Sequence, residues 1–319
     1  MNNIMVTVYC TTYNHEKYIR DALDGFVMQE TNFQFEVLVH DDASTDGTAK
    51  IIKEYEEKYP SIIRGIYQKE NLFSKKVDRT YKFMLPATNG KYIALCEGDD
   101  YWTDKKKLQA QVDYMESHPE CSLVAHEAII SIESTGEEKR YTNYDFHKNG
   151  EISVDQIIND QWFFPTASMM FATDFFYRNK EFLTTHPYYD YLLKIMLAIE
   201  GKIYVIPRVM SVYRMGTSGS WTNRVANNNE KYIKHEEVAV RNLLALDEYS
   251  DYKYHKQLYH AVLKRKFHIE QLKGNYSKLR KPPYRDIYRD LKLKRRVAIR
   301  IKEFSPNLFA WIRKHIVRQ

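Results

Sequence analysis

Gly90-Lys91-Tyr92-Ile93-Ala94-Leu95-Cys96-Glu97-Gly98-Asp99-Asp100-Tyr101-Trp102 is the stretch on which the fold turns. Tyr92 to Leu95 is short and apolar, the pattern of a strand buried on both faces. Glu97, Asp99 and Asp100 follow it at once. Like charges so close repel, and the arrangement is costly unless a cation offsets it. Hard carboxylate oxygens suit Mg²⁺ or Mn²⁺, ions that keep positions open for substrate phosphates. Gly98 allows close approach of the backbone to a ligand. The plainer reading is an acidic surface turn that caps a helix beginning near Thr103 and Asp104.

Working outward, the same strand-then-polar pattern recurs. Ile4 to Cys10 reads as a strand that runs into Thr11-Thr12-Tyr13-Asn14. A helix with Ile19, Leu23, Phe26 and Val27 on one face follows. Phe35 to His40 reads as a second strand, ending at Asp41-Asp42-Ala43-Ser44-Thr45-Asp46-Gly47-Thr48. A helix over Thr45 to Tyr59, with Ala49, Ile52 and Tyr55 inward, and a strand over Ile62 to Tyr67 come next. Strands alternating with helices predict an α/β fold with a mainly parallel sheet and right-handed crossovers. Ligands of such sheets bind beyond the carboxyl ends of the strands, where the acids collect. In the 41–48 block, Ser44, Thr45 or Asp46 suffices to cap a helix. Two further acids at the strand end exceed that need, and a carboxylate there can accept the ring N–H of a pyrimidine base.

The second half is more mixed. Strands are expected over Cys121 to Ile132 and Ser168 to Ala172, a helix over Pro187 to Gly201, and one or two strands over Lys202 to Arg214. From Asn229 onward the pattern is helical, broken at Pro282-Pro283 and Ser305-Pro306.

These pieces, in this order, resemble a family 2 glycosyltransferase with the GT-A fold, of the bacterial cell-surface polysaccharide type. The resemblance rests on Thr11 to Asn14, the 41–48 block, Gly90 to Trp102, Asp190, and Val212-Tyr213-Arg214. It covers about two-thirds of the chain. It implies a Rossmann-like, mostly parallel sheet in a catalytic domain over 1–225, with a nucleotide-sugar half (1–100) and an acceptor half (101–225). A helical, basic extension (226–319) follows. It implies an inverting transfer of a sugar from a nucleotide diphosphate donor to an acceptor hydroxyl of a cell-surface glycan or lipid-linked saccharide. Thr11, Tyr13 and Asn14 would line the nucleotide pocket, and Asp42 resembles the base-recognising aspartate, favouring a UDP-sugar. Glu97 and Asp99 occupy the acidic positions of the family's Asp-x-Asp motif, with Glu in place of the first Asp. Asp99 would ligate Mn²⁺ or Mg²⁺. Asp190 sits where the family places its general base; on residue type alone the N-cap is the preferred reading. Arg214 would lie near the diphosphate. Gly216 stands where many relatives carry His, and Gly216 to Trp221 reads either as a loop closing over donor or as a surface turn. Asp100, Tyr101, Trp102, Trp162 and Thr166 are acceptor-side candidates, Trp162-Phe163-Phe164-Pro165-Thr166 being read as a sugar-stacking platform or as core.

Other classes fit less well. A nucleotidyltransferase would usually carry a Gly-rich basic phosphate loop after the first strand, and Thr11 to Asn14 is not one. A non-catalytic nucleotide-sugar-binding module would not need Asp42, Asp99 and Asp190 together. A receiver domain is about half this length and lacks the second acidic site. Hydrophobic residues make up 44% of the chain, enough for a sizeable core. Cys10, Cys96 and Cys121 lack metal-ligand spacing and read as core residues in a reducing compartment. His126, after Leu123-Val124-Ala125, also reads as a satisfied core side chain. The N-terminus has no basic segment before its apolar run, and no stretch approaches the length of a spanning helix. A cytoplasmic protein is expected, with peripheral contact at the inner face of the cell membrane. The net charge of +6 is concentrated at one end, since Lys281 to Gln319 carries twelve Lys or Arg against three Asp or Glu. There, Leu291 to Phe304, and then Leu308, Phe309, Trp311, Ile312 and Ile316 among Arg313, Lys314 and Arg318, suggest basic amphipathic helices. They suit an anionic membrane surface, a docked helix or an oligomer contact. Nucleic acid is not an expected partner, because the basic region lies outside the acidic half.

Overall fold

The computed structural model describes residues 4–75, 77–160, 162–186, 190–217 and 228–305, with 307 and 311. Two compact units result, Met1–Arg224 and Val225–Gln319.

The first unit is built on one sheet. β1 (Ile4–Thr12) is followed by α1 (Ile19–Val27), β2 (Gln34–Asp41), α2 (Thr48–Lys58), β3 (Ile63–Tyr67) and β4 (Tyr92–Leu95). The strands lie side by side as β3-β2-β1-β4, all parallel. β1 is sandwiched, which is why Val6, Val8 and Cys10 on one face and Thr7 and Tyr9 on the other are all buried. Gly90 is required at the approach to β4. A Cβ there would lie 2.4 Å from the Thr7 amide nitrogen, and the Gly90 amide donates to the Thr7 hydroxyl at 2.9 Å. The inward stripe of α1 is Ile19, Ala22, Leu23 and Phe26, with Val27 only partly covered. Each fully buried Leu, Ile or Phe contributes about 1.5–3 kcal/mol. In α2 the inward residues are Thr48, Ile51, Ile52 and Tyr55; Ala49 sits at the margin.

Beyond β4 come β5 (Tyr101–Trp102), α3 (Lys107–Ser117), β6 (Cys121–Ile132), β7 (Glu137–Arg140), β8 (Glu151–Ile152) and α4 (Val154–Asn159). β9 (Met170–Ala172), α5 (Asp174–Arg178), α6 (Lys180–Thr185), α7 (Asp190–Glu200) and β10 (Lys202–Met215) complete the unit. The sheet continues β4-β9-β6-β10-β5. β9 runs antiparallel to both β4 and β6, while β6 and β10 are parallel. Short β5, β7 and β8 add antiparallel pairs. The expected α/β class with a mostly parallel sheet is therefore present. β10 is a single strand whose register slips between Ile206 and Ser211. Pro207 falls in that slip, where its missing N–H breaks no ladder bond. All three cysteines are buried and free.

The second unit is helical: α8 (Asn229–Tyr249), α9 (His255–Leu272), α10 (Arg285–Asp290) and α11 (Leu293–Phe304). α8 starts with Asn228 accepting the Lys231 amide at 3.0 Å, an N-cap. Phe267, Leu279 and Ile299 form a small core there. Among the described residues no helix is long and apolar enough to cross a membrane. The expected apolar and basic positions Leu308, Phe309, Ile312, Arg313, Lys314, Ile316 and Arg318 lie outside the described residues, as do Pro187 to Tyr189.

Candidate active site

β1, β2 and β4 end at the same edge of the sheet, and their terminal residues are stitched together. The Gly98 amide donates to the Thr11 carbonyl at 3.0 Å, and the Asp42 amide to the Thr12 carbonyl at 3.0 Å. Asn14 and Ala43, just past β1 and β2, have positive φ of 57° and 62°. Such strain persists only where surrounding bonds impose it. Here the Asn14 amide donates to Ser44 Oγ at 2.9 Å, and Asn14 Oδ1 accepts the Thr45 amide at 2.7 Å. Ser44 Oγ is in turn held by Asp41. The N-cap of α2 is Gly47, which offers no side chain, and Asp46, one residue before it, accepts the Thr48 amide at 3.0 Å.

Several expected ligand residues are already engaged. Asp42 is almost fully buried, and its two oxygens accept the Leu72 amide at 2.8 Å and the Phe73 amide at 3.0 Å. Arg79 approaches it at 3.9 Å. Gly98 is needed for packing more than for a ligand, because a Cβ there would meet Thr12 and Ile19 at 2.8–2.9 Å. Trp102 is 2% exposed, donates from its indole N–H to the Ala167 carbonyl at 2.8 Å and packs edge-on to Phe26. It is a core side chain and offers nothing to an acceptor. Asp100 is likewise withdrawn: buried, it accepts the Arg214 amide at 2.8 Å and ties β10 to the acidic loop. Arg214 donates to the Asp99 carbonyl at 3.1 Å, pairs with Asp21, and stacks over Tyr101 (4.3 Å) and Tyr18 (5.3 Å).

What remains open is Glu97, Asp99 and Asp190. Asp99 Oδ2 accepts Thr217 Oγ1 at 2.9 Å and lies 3.9 Å from His15 Nε2. Burial first, then the Asp99 charge and more weakly the Asp190 charge, push the Glu97 carboxyl up to about 7, with Lys194 opposing the rise. Burial, then Asp99 and Glu97, also raise Asp100 well above the ordinary range. The charge density that the sequence suggested is therefore real. Among the described residues no group of three or more His, Cys, Asp or Glu side chains is clustered to cage a metal. One or two carboxylates completed by phosphate and water form an ordinary Mg²⁺ site, and the Glu97–Asp99 pair fits that kind of donor set.

Asp190 opens α7 with its carboxylate 47% exposed, 3.5 Å from Lys194 Nζ. Lys194 is buried and also donates to the Phe164 carbonyl at 2.9 Å. Beside them stands an aromatic group: Trp162, half exposed, lies 6.0 Å from Tyr141, which meets Tyr213 edge-on at 5.7 Å. Burial, then the Asp190 charge, raise the Tyr141 phenol. Thr166 is half-buried at the start of a short 3₁₀ turn, Thr166–Ser168, while Phe163 and Phe164 are core. Tyr13 and Thr11 are half-buried at the β1 terminus. Sequence reasoning missed His15, Arg79, Tyr141 and Lys194. Only Lys194 carried a signal, the four-residue spacing from Asp190 that aligns side chains on a helix. Of the Gly216 to Trp221 loop, Gly216 (φ 89°) and buried Thr217 are placed, and 218–221 lie outside the described residues.

Comparison with known proteins adds three findings. The family model described as Glycosyl transferase family 2 matches residues 7–182. An uncharacterized protein of Mycobacterium tuberculosis is 36% identical over 226 residues, which is 68% of this chain and 60% of that relative; the chain thus spans less than two-thirds of that relative's length. Among solved structures, Staphylococcus aureus TarS 1–349 in complex with UDP-GlcNAc shares 16% identity with a TM-score of 0.58, covering 94% of this chain and 79% of that 1–349 chain. Mannosyltransferase PcManGT from Pyrobaculum calidifontis, in complex with GDP-Man and Mn²⁺, shares 16% identity with a TM-score of 0.55, covering 95% and 87%. At that identity both establish likeness of fold.

Proposed function

We propose, for a chain that belongs to glycosyl transferase family 2, that it transfers a sugar from a nucleotide diphosphate donor to an acceptor hydroxyl with inversion. The observation that carries the reading is Asp99 just past the carboxyl end of β4, its Oδ2 accepting Thr217 Oγ1 at 2.9 Å and lying 3.9 Å from His15 Nε2, together with the partly exposed Asp190 carboxylate that opens α7. The donor is read as a UDP-sugar and the transferred group as a hexosyl or N-acetylhexosaminyl unit. The acceptor is a cell-surface glycan or lipid-linked saccharide. Residues 1–100 make the donor half and 101–225 the acceptor half.

Thr11, Tyr13 and Asn14 border the nucleotide. Asp42 would act on the base side of the pocket through the Leu72 and Phe73 amides that its buried carboxylate holds. Asp99, backed by Glu97, would hold Mn²⁺ or Mg²⁺, which supplies charge neutralisation to the leaving diphosphate. Arg214 braces this loop through the Asp99 carbonyl. Asp190 takes the proton from the acceptor hydroxyl as that oxygen attacks the anomeric carbon; its partial exposure leaves room for the hydroxyl. Trp162, with Thr166 nearby in sequence, presents a ring face to the acceptor sugar. Peripheral placement at the cytoplasmic face of the cell membrane belongs to the same reading and suits an acceptor carried on a lipid.

The test is binding and hydrolysis across a panel of UDP-, GDP- and dTDP-sugars, with and without Mn²⁺ or Mg²⁺. A metal-dependent response to one donor is expected. Silence to every donor, in binding as well as turnover, refutes the reading.

A further inference from the structure

We propose that the outward side of α11 is a docking surface for an anionic lipid bilayer. Two contacts fix which side faces in. Ile299 is 1% exposed, packed with Phe267 and Leu279, and Glu303 is held by both guanidinium nitrogens of Arg280. With about 100° between successive residues, Leu293, Val297, Ile301 and Phe304 then fall on the opposite side. Leu293, Val297 and Phe304 are 68%, 46% and 73% exposed. Lys294 borders this stripe on one edge and Arg300 on the other, both exposed.

A helix on a water-soluble surface ordinarily turns its charges outward. Here a row of large apolar side chains about 17 Å long points outward between two cationic edges. That pattern matches the headgroup region of a membrane, where apolar side chains enter the acyl boundary and long cationic stems reach up to phosphates. Charge selects this occupant over a second copy of the chain. Lys292, Lys294, Arg295, Arg296, Arg300 and Lys302 face a single acid, Glu303, in this segment, and that acid is committed to Arg280. Two such helices meeting face to face would set cation against cation, whereas anionic lipid neutralises them.

The inference rests on the peripheral placement proposed above and is independent of the transfer reaction. Its test is cosedimentation of the full chain with phosphatidylcholine vesicles, with and without phosphatidylglycerol. Binding to the anionic vesicles alone is expected, weakened roughly fivefold by each of Lys294→Gln and Arg300→Gln and abolished by Val297→Asp with Phe304→Asp. All four positions are solvent-facing, so the circular dichroism melt of each variant should match the wild type. Failure of the wild type to bind anionic vesicles at low salt overturns the proposal. So does full binding by the paired aspartate variant, which would mean adsorption by diffuse charge alone. A wild-type dimer that the aspartates dissociate, with no lipid binding, would assign the face to a second copy. None of these readouts needs turnover, so a silent donor panel would leave this result standing.

Discussion

Replacing Lys107 by Met should raise stability in mild acid and lower it in base. Lys107, the first residue of α3, is fully buried with its ammonium 3.7 Å from the centre of the Trp102 ring. The ammonium donates to Gln111 Oε1 at 2.7 Å. Burial lowers its pKa from 10.5 to about 7. Between those values the unfolded chain keeps a proton that the folded protein has shed, so stability rises with pH across that window. Below pH 7 the cost of holding the charge is fully present, about 5 kcal/mol at 1.36 kcal/mol per unit. The Trp102 face returns about 2 kcal/mol of that. The substitution also strands Gln111 Oε1, which costs about 1–3 kcal/mol at any pH. The variant should then be about 1 kcal/mol more stable than wild type at pH 6 and about 1 kcal/mol less stable near pH 10, where a little of the wild-type cost remains. Urea unfolding of both proteins, followed by tryptophan fluorescence at the two pH values, reads this directly. The same stability difference at both pH values would refute a buried, strained ammonium.

Further tests bear on the site. Asp99→Asn should abolish metal-dependent donor turnover while leaving the circular dichroism spectrum unchanged; wild-type turnover in the variant removes Asp99 from the metal site. Asp190→Asn should lower kcat about 10²–10⁴-fold with donor KM little changed; a matching fall in donor affinity would point instead to a binding role. Trp162→Ala should raise acceptor KM roughly tenfold, as expected for about 1.4 kcal/mol of lost stacking, without altering Tm, since the ring is half exposed. An unchanged KM would release Trp162 from the acceptor side.

The parallel half of the sheet was legible because its strands are apolar runs ended by polar clusters, and β1, β2, β3 and β4 all lie within two residues of their expected bounds. β5, β7 and β8 were not legible. Tyr101–Trp102 and Glu151–Ile152 are too short to show a period, and Glu137–Arg140 is wholly charged, so pairing with longer neighbours alone makes them strands. In the site, the acids at the strand ends were evident because repulsion between adjacent charges is visible in one dimension. Whether each acid is open or spent was not. Asp100 and Asp99 are neighbours in sequence, yet one is consumed by the Arg214 amide and the other opens toward His15 and Thr217. Trp102 misled for the same reason: an aromatic beside an acidic motif suggests a ligand, and only tertiary packing shows it turned under α3.

The three residues of β9 have a consequence for how the chain can be made. Tyr92, Ile93 and Ala94 of β4 find their second neighbour only in Ala172, Phe171 and Met170. During synthesis the first four strands can pair among themselves, but β4 stays an open apolar edge until the ribosome has extended the chain through Ala172. A fragment stopped near residue 100 would expose that edge permanently and recruit other copies of itself to it. Residues 1–100 should therefore not fold as a separate module, because the short antiparallel strand that covers their open edge follows much later in the chain.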